Sequence, residues 1–359
     1  MAGPGPAPPG YGSAMKLSTT LGFDGDPARY ARKARDLESA GIDLIWSGEI
    51  YGYDLVSSLA YLAGQTSRIE LMTGILPIYS RTPGLVAQTA ATIDALSGGR
   101  FHLGLGTSGP QVIEGWHGVP FDQPLQRTRE VIEICRQVWA REPLVHDGKA
   151  YQLPLPAERG TGLGKPLKFM NRPVRQHIPV WIAAIGPRNV QLAAEVADGW
   201  QPIFFVPERF EQVWGDALTA GRAKRTDGLG ELQIMAGGTV AIGSGPEVAQ
   251  AREDARANAG FYVGGMGARD KNFYNELFQR YGWEAEAREI QDLFLSGQRS
   301  DAFAKVPDEF LDLSTLCGDE GFVRERIGVY RDIGVSYLNI APVGEDPLKV
   351  IERVRAWAE

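Results

Sequence analysis

Cysteine is scarce in this chain: Cys135 and Cys317 are the only two in 359 residues. Neither lies in a CxxC or Cys/His ligand spacing, so neither a disulfide framework nor a zinc site is expected, and the cytoplasm is the expected compartment. The four histidines show no HExxH or paired spacing, so no metal is expected. No run approaches the roughly 18 apolar residues of a membrane-spanning helix, and no membrane partner is expected. A basic excess is also missing. Lys and Arg number 37 against 44 Asp and Glu, a net charge of -7, which leaves no electrostatic footprint for nucleic acid or an anionic lipid surface. A small molecule is the expected partner. The opening MAGPGPAPPGYGSA has neither a basic nor an apolar segment, so it does not read as a signal peptide. Rich in Pro and Gly with nothing to bury, residues 1–14 are expected to form a disordered tail.

From Met15 onward, short β-like runs alternate with helical patterns, the signature of βαβ units and a parallel sheet. Candidate strands are Lys16–Leu21, Asp43–Ser47, Ile69–Leu76, Arg100–Leu105, Pro179–Ala184, Gly199–Phe205, Leu232–Ile242 and Val335–Ile340. Eight strands with helices between them fit a closed (β/α)8 TIM-like barrel better than an open sheet. Asp26-Pro27 caps the first helix and Gly41 stops it. The helix from about Pro83 to Leu96 stops at Ser97-Gly98-Gly99, and the one from Pro187 to Ala197 at Asp198-Gly199. Two long stretches break the rhythm and read as insertions, 143–178 and 258–316. The second has helical spacing (Phe273, Leu277, Phe278; Ile290, Leu293, Phe294) and is expected to form a small helical lobe before a helix from Glu320 to Ile333. Residues 15–359 are expected to be one domain.

In such a barrel the site is built at the C-terminal ends of the strands. After strand two stand Glu49 and Tyr51, candidates for proton transfer or substrate orientation; the alternative is that Glu49 salt-bridges a neighbouring strand and Tyr51 packs. Strand three carries Gly74-Ile75 near Pro77, which reads as a bulge admitting a flat ligand or as a packing accommodation. After strand four, Gly104-Leu-Gly106-Thr107-Ser108-Gly109 matches GxGxxG literally. Pro110 and the Gly115-Trp116-His117-Gly118 stretch would break the long helix that a dinucleotide fold requires, so a Rossmann unit is not expected. Thr107, Ser108 and Gly109 remain candidates for an anion- or ring-edge-binding turn. Strand five leads through Ile185-Gly186-Pro187-Arg188 into a helix whose first amides suit a phosphate, with Arg188 as charge partner or as a solvated residue. Lys165 and Lys168 either reach the same anion or are solvated. Among the histidines His117 is the candidate at the mouth, while His102 inside its strand is expected to be packed.

Several segments together resemble the luciferase-like monooxygenase family, in particular an actinobacterial branch associated with coenzyme F420. They include Gly41-Ile-Asp-Leu-Ile-Trp46, Glu49-Ile-Tyr51-Gly-Tyr-Asp54, Gly74-Ile75-Leu-Pro, Leu96-Ser-Gly-Gly-Arg100 followed by Leu103-Gly-Leu-Gly106, Glu114-Gly-Trp-His-Gly118 and Gly162-Leu-Gly-Lys-Pro-Leu-Lys168. The likeness covers nearly the whole chain from Met15. The resemblance implies a cofactor ring seated in the barrel mouth, a non-prolyl cis peptide at Gly74-Ile75 backing it, phosphate contacts from the Gly186 turn, and a homodimer. It implies hydride transfer between F420 and an organic substrate, with Glu49, Tyr51 or His117 handling the proton. Many relatives carry Asp-His where this chain has Gly48-Glu49, which makes Glu49 the substitute candidate. Two alternatives stand beside this reading. One is an FMN-dependent monooxygenase fed by a separate reductase, the other a non-catalytic ligand-binding relative.

Overall fold

The computed structural model describes residues 15–267, 269 and 271–359; the tail expected at 1–14 lies outside them. Eight strands form the frame: β1 (Lys16–Thr20), β2 (Leu44–Ser47), β3 (Glu70–Thr73, resuming at Leu76–Pro77), β4 (Phe101–Gly106), β5 (Val180–Ala183), β6 (Gly199–Gln201), β7 (Gln233–Ile242) and β8 (Tyr337–Pro342). Each pairs in parallel with the next, and β8 pairs with β1, so the sheet closes on itself as the alternation predicts. The expected sixth strand is shortened. After Gln201 the chain leaves the ladder, and Phe204 takes a left-handed conformation, φ 52°.

Helices α1 (Pro27–Ala40), α2 (Leu55–Ala63), α3 (Pro83–Ser97), α4 (Pro110–Gly115), α5 (Pro124–Trp139), α6 (Pro187–Val196) and α7 (Phe210–Arg222) follow the first six strands. The ends of α1 and α3 obey the capping chemistry read from the sequence, whereas α6 stops at Val196 on an extended Ala197 and Gly199 already belongs to β6. The Asp26 carboxylate accepts from the Arg29 amide, and Gly41 and Gly98 take the left-handed C-terminal conformation at φ 103° and 68°.

The two insertions occupy opposite faces of the barrel. The first joins α5 to β5, a helix-to-strand connection, and therefore opens at the N-terminal end of the strands. Arg141 Nε donates to the Phe169 carbonyl, and Arg175 binds both Asp94 and the carbonyl of Phe101 at the start of β4. Lys165 and Lys168 are exposed on this face, away from the strand ends that would hold an anion. The second insertion begins later than expected, because α8 (Pro246–Gly265) runs through Asn258 without a break. It comprises α9 (Phe273–Arg280), α10 (Glu284–Leu295), α11 (Arg299–Ala304) and α12 (Asp308–Ser314), and is the helical lobe the spacing predicts. A short segment, Leu316–Gly318, pairs with the end of β7 and leads into α13 (Glu320–Asp332); α14 (Pro347–Ala358) completes the ring.

Strand alternation of period two sorts the inner wall by size. Near the N-terminal ends it is filled by Leu44, Met72, Trp181, Met235 and Tyr337. A polar set closes that end: Lys16 Nζ and the Tyr337 hydroxyl both donate to the Glu70 carboxylate, at 2.7 Å each. His102 lies in the same layer, packed as expected, and its Nδ1 accepts from Trp181 Nε1 at 2.9 Å. Burial pushes the His102 imidazole down to about 4. An unfolded histidine titrates near 6.5, so between roughly pH 6.5 and 4 the unfolded chain binds a proton that the folded chain refuses. Stability is therefore lost as pH falls through that window, by about 1.4 kcal/mol per pH unit at the steepest. His102→Gln is expected to flatten this acid limb, read from urea midpoints at pH 7, 5.5 and 4.5. An unchanged slope would remove His102 as its cause.

Candidate functional site

Toward the C-terminal ends the inward positions are small: Gly74 on β3's exit, Gly104 and Gly106 on β4, Ala183 on β5 and Gly237 on β7. Trp46, Gln201 and Asn339 are the larger members of the wall at this end, each half-buried. Trp46 Nε1 donates to Asn339 Oδ1 at 2.7 Å, which fixes the indole beside Gly74. A Cβ on Gly74 would sit 2.7 Å from the indole and 3.3 Å from Gln201 Oε1, so only glycine passes there. Gly104 lies closer still to its neighbour, since a Cβ would reach 1.7 Å from the Thr73 carbonyl oxygen. The Gly74-Ile75 peptide is cis, as the resemblance implies, and interrupts β3. Two backbone hydrogen bonds tie it to the loop after β2, Gly74 N–H to Ser47 O at 2.6 Å and Glu49 N–H to Ile75 O at 3.1 Å.

Glu49 is buried and held bidentately by Arg81, at 2.6 and 3.0 Å, while the same guanidinium reaches Asp54 at 2.7 Å. Burial alone would lower the Arg81 pKa, but the Glu49 and Asp54 carboxylates outweigh it and raise it. Of the two readings of Glu49, the salt bridge is the one the geometry realises. A carboxylate with both oxygens committed to a guanidinium is a poor proton carrier and a strong anchor. Tyr51 does not join this cluster. It projects into solvent, 63% exposed, with its ring 6.3 Å from that of Trp116.

After β4 the literal GxGxxG leads into α4, six residues long, and not into a dinucleotide-binding helix. Thr107, Ser108 and Gly109 are half-buried at the mouth, and Ser108 has φ 57°, a left-handed conformation unusual outside glycine. His117 follows α4, half-buried, and its Nε2 is buried without a hydrogen-bond partner among the described residues.

The turn after β5 is more fully built than its sequence showed. Gly186 caps α6 without any side-chain hydrogen bond to the first-turn amides, and the space where its Cβ would stand is empty. Arg188 is exposed. The cation at this turn is instead Arg280, the last residue of α9 in the lobe. Its Nη2 donates to the Ile185 carbonyl at 2.8 Å, an oxygen that also accepts from Trp214 Nε1 at 2.8 Å. The Arg280 Nη1 is buried and has no partner among the described residues. The lobe is locked where it delivers this arginine. Phe204 packs edge-on against Tyr262, Tyr274, Phe278 and Phe310, and the Tyr281 hydroxyl donates to the Phe204 carbonyl at 3.0 Å. Nothing in the sequence around Arg280 announces this placement, because its partner lies 95 residues away.

Among the described residues no His, Cys, Asp and Glu grouping could hold a metal, and no helix is long and apolar enough to cross a membrane. A cavity of about 510 Å³ opens elsewhere, on the flank of α5 beside Arg129, Arg136 and His146. It lies outside the barrel wall, where no strand end contributes.

A profile of the luciferase-like monooxygenase family matches residues 8–337. A Mycobacterium tuberculosis protein provisionally named a coenzyme F420-dependent oxidoreductase is 40% identical over 331 residues, 91% of this chain and 94% of its own length. The 5,10-methylenetetrahydromethanopterin reductase of Archaeoglobus fulgidus is 30% identical over 325 residues, 88% of this chain and 90% of its own. In three dimensions, the coenzyme F420-dependent tetrahydromethanopterin reductase of Methanopyrus kandleri matches with a TM-score of 0.75 at 25% identity, over 96% of this chain and 98% of its own. The chain belongs to the luciferase-like monooxygenase family.

Proposed function

We propose that this protein is an oxidoreductase that seats coenzyme F420 in the barrel mouth and transfers a hydride between the deazaflavin and a small organic substrate. One observation carries the reading most directly. The open Gly186 turn, with uncapped amides at the head of α6, lies beside a buried guanidinium nitrogen that has no partner among the described residues. Such a turn suits a phosphate, through the helix dipole, the free amides and a countercharge. The relatives named for F420 support the choice of cofactor.

When bound, the deazaflavin supplies a carbon that carries two electrons as hydride. The protein's share is position and proton handling. Gly74-Ile75 and the Trp46 indole that packs on Gly74, fixed by its hydrogen bond to Asn339, form the wall against which a flat ring would lie. Thr107, Ser108 and Gly109 flank the ring from β4, while Ile185, Gly186 and Arg280 take the phosphate end. His117, whose Nε2 has no partner among the described residues, is the proton carrier of this reading. Glu49 acts through Arg81 as a positioning residue, and Tyr51 belongs to the rim. A homodimer belongs to this reading through the family resemblance, and the two free, buried cysteines agree with a reducing cytoplasm.

Titration of the purified protein with F420 and with FMN, followed by fluorescence quenching, tests the proposal. F420 is expected to bind at least about tenfold more tightly, a difference of about 1.4 kcal/mol. Equal or tighter binding of FMN would transfer the site to a flavin monooxygenase served by a separate reductase. Binding of F420 without turnover of any substrate would mark a ligand-binding relative.

A further inference from the structure

The rim of the mouth exposes large side chains that a barrel of this size has no need to leave in water. Ile50, Tyr51 and Tyr53 on the loop after β2 and Trp116 at the end of α4 are 62%, 63%, 67% and 64% exposed. Single exposed apolar residues are ordinary, whereas a cluster on two facing loops marks a contact surface. The loops leave β2 and β4, the two strands that flank β3, so the Tyr51–Trp116 pair bridges the rim on the side of Gly74-Ile75. Both loops are fixed. Arg81 holds Glu49 and Asp54 on one, and the Trp116 amide donates to Val112 on the other. The rings are thus presented in place, tilted 52° to each other.

Charge narrows what they receive. Arg81 is the cation of the first loop's base, and with two carboxylates on it that cluster carries a net charge of -1. An anionic substrate arriving there would meet like charge. His117, next to Trp116 in sequence, keeps its Nε2 buried and without a partner among the described residues. We infer that the mouth selects a flat, conjugated compound without negative charge, stacked on the Trp116 indole with the tilted Tyr51 ring at its edge. The inference rests on the reading of the mouth as the substrate site.

Calorimetric titration of the F420-loaded protein with cinnamamide, crotonamide and cinnamate tests it. The first two share the conjugated amide and differ by the ring, while the first and third share the ring and differ by charge. Cinnamamide is expected to bind several-fold more tightly than either. Trp116→Ala and Tyr51→Ala should each weaken cinnamamide about threefold to tenfold and leave crotonamide and F420 affinities unchanged. Trp116→Phe should keep most of the affinity. Melting midpoints serve as the folding control, because both side chains are mostly exposed. Cinnamamide affinity that survives both alanine variants, or cinnamate binding as tightly as cinnamamide, overturns the inference. Failure of F420 to bind the wild-type protein is a separate result that removes the cofactor reading; the same three amide and acid titrations on the protein without F420 then decide the rim by the same criteria.

Discussion

Arg81→Met is expected to lower the free energy of unfolding by about 3–5 kcal/mol, the cost of leaving a buried charge without its partner. The Glu49 side chain is 7% exposed and that of Arg81 is 15%, so water cannot replace the lost guanidinium. Methionine fills the volume but offers the carboxylate nothing. Glu49→Gln is expected to cost less, about 1–2 kcal/mol, because Arg81 keeps Asp54 and the amide oxygen still accepts a hydrogen bond. Pairing Arg81→Met with Glu49→Leu should recover part of the loss, since both charges then leave together. Denaturant unfolding of the four proteins at pH 7 reads these differences. A loss under about 1 kcal/mol for Arg81→Met would mean that the pair is solvated and that Glu49 is free for another role. The kinetic counterpart separates anchor from acid. As an anchor, Glu49→Gln raises KM through a looser 48–54 loop; as a proton donor it would lower kcat at unchanged stability.

Glu49 also shows where sequence reading stops. Its place at a strand end was visible from the alternation of strands and helices, and so was the caution that it could be salt-bridged. The partner was not visible: Arg81 lies 32 residues away, and only the parallel register of β2 on β3 brings the two loops together. Helix ends were legible because Asp26, Gly41 and Gly98 act within one turn of themselves. The run from Gly199 to Phe205 misled because apolar content does not distinguish a strand from a segment buried under another element. Phe204 is apolar because the lobe packs on it, not because it pairs in the barrel. Charge alone leaves Lys165 and Lys168 either at the phosphate turn or in solvent; a helix-to-strand connection opens at the other end of the barrel, where both are exposed. Taken singly along the sequence, each inward glycine is only a bulge or a turn. Their shared meaning, an inner wall that narrows the side chains toward one end, emerges once the period-two pattern is laid around a closed ring.

Arg280→Met is expected to weaken F420 binding at least about 30-fold, equivalent to about 2 kcal/mol, the lower range for truncating one member of a buried charge pair. The same substitution should leave unchanged the affinity for the deazaflavin chromophore that carries its ribityl chain but no phosphate. That contrast isolates the phosphate from the ring. Loss of the turn itself is an insufficient account of such a result, because Trp214 still donates to the Ile185 carbonyl when Arg280 is gone. Arg280→Lys should restore part of the affinity, since an ammonium supplies charge without the planar fork that bonds the carbonyl and the phosphate at once. Arg188→Ala, at an exposed position in the first turn of α6, is expected to change F420 affinity less than about threefold, the scale of a solvent-screened charge. Equal losses for the phosphate-bearing and phosphate-free ligands would place the Arg280 effect in the packing of the lobe. A large loss for Arg188→Ala would return the phosphate to the cation adjacent in sequence. The decisive quantity is the ratio of the two ligand affinities, because a lobe that merely loosens shifts both, whereas a missing countercharge shifts one.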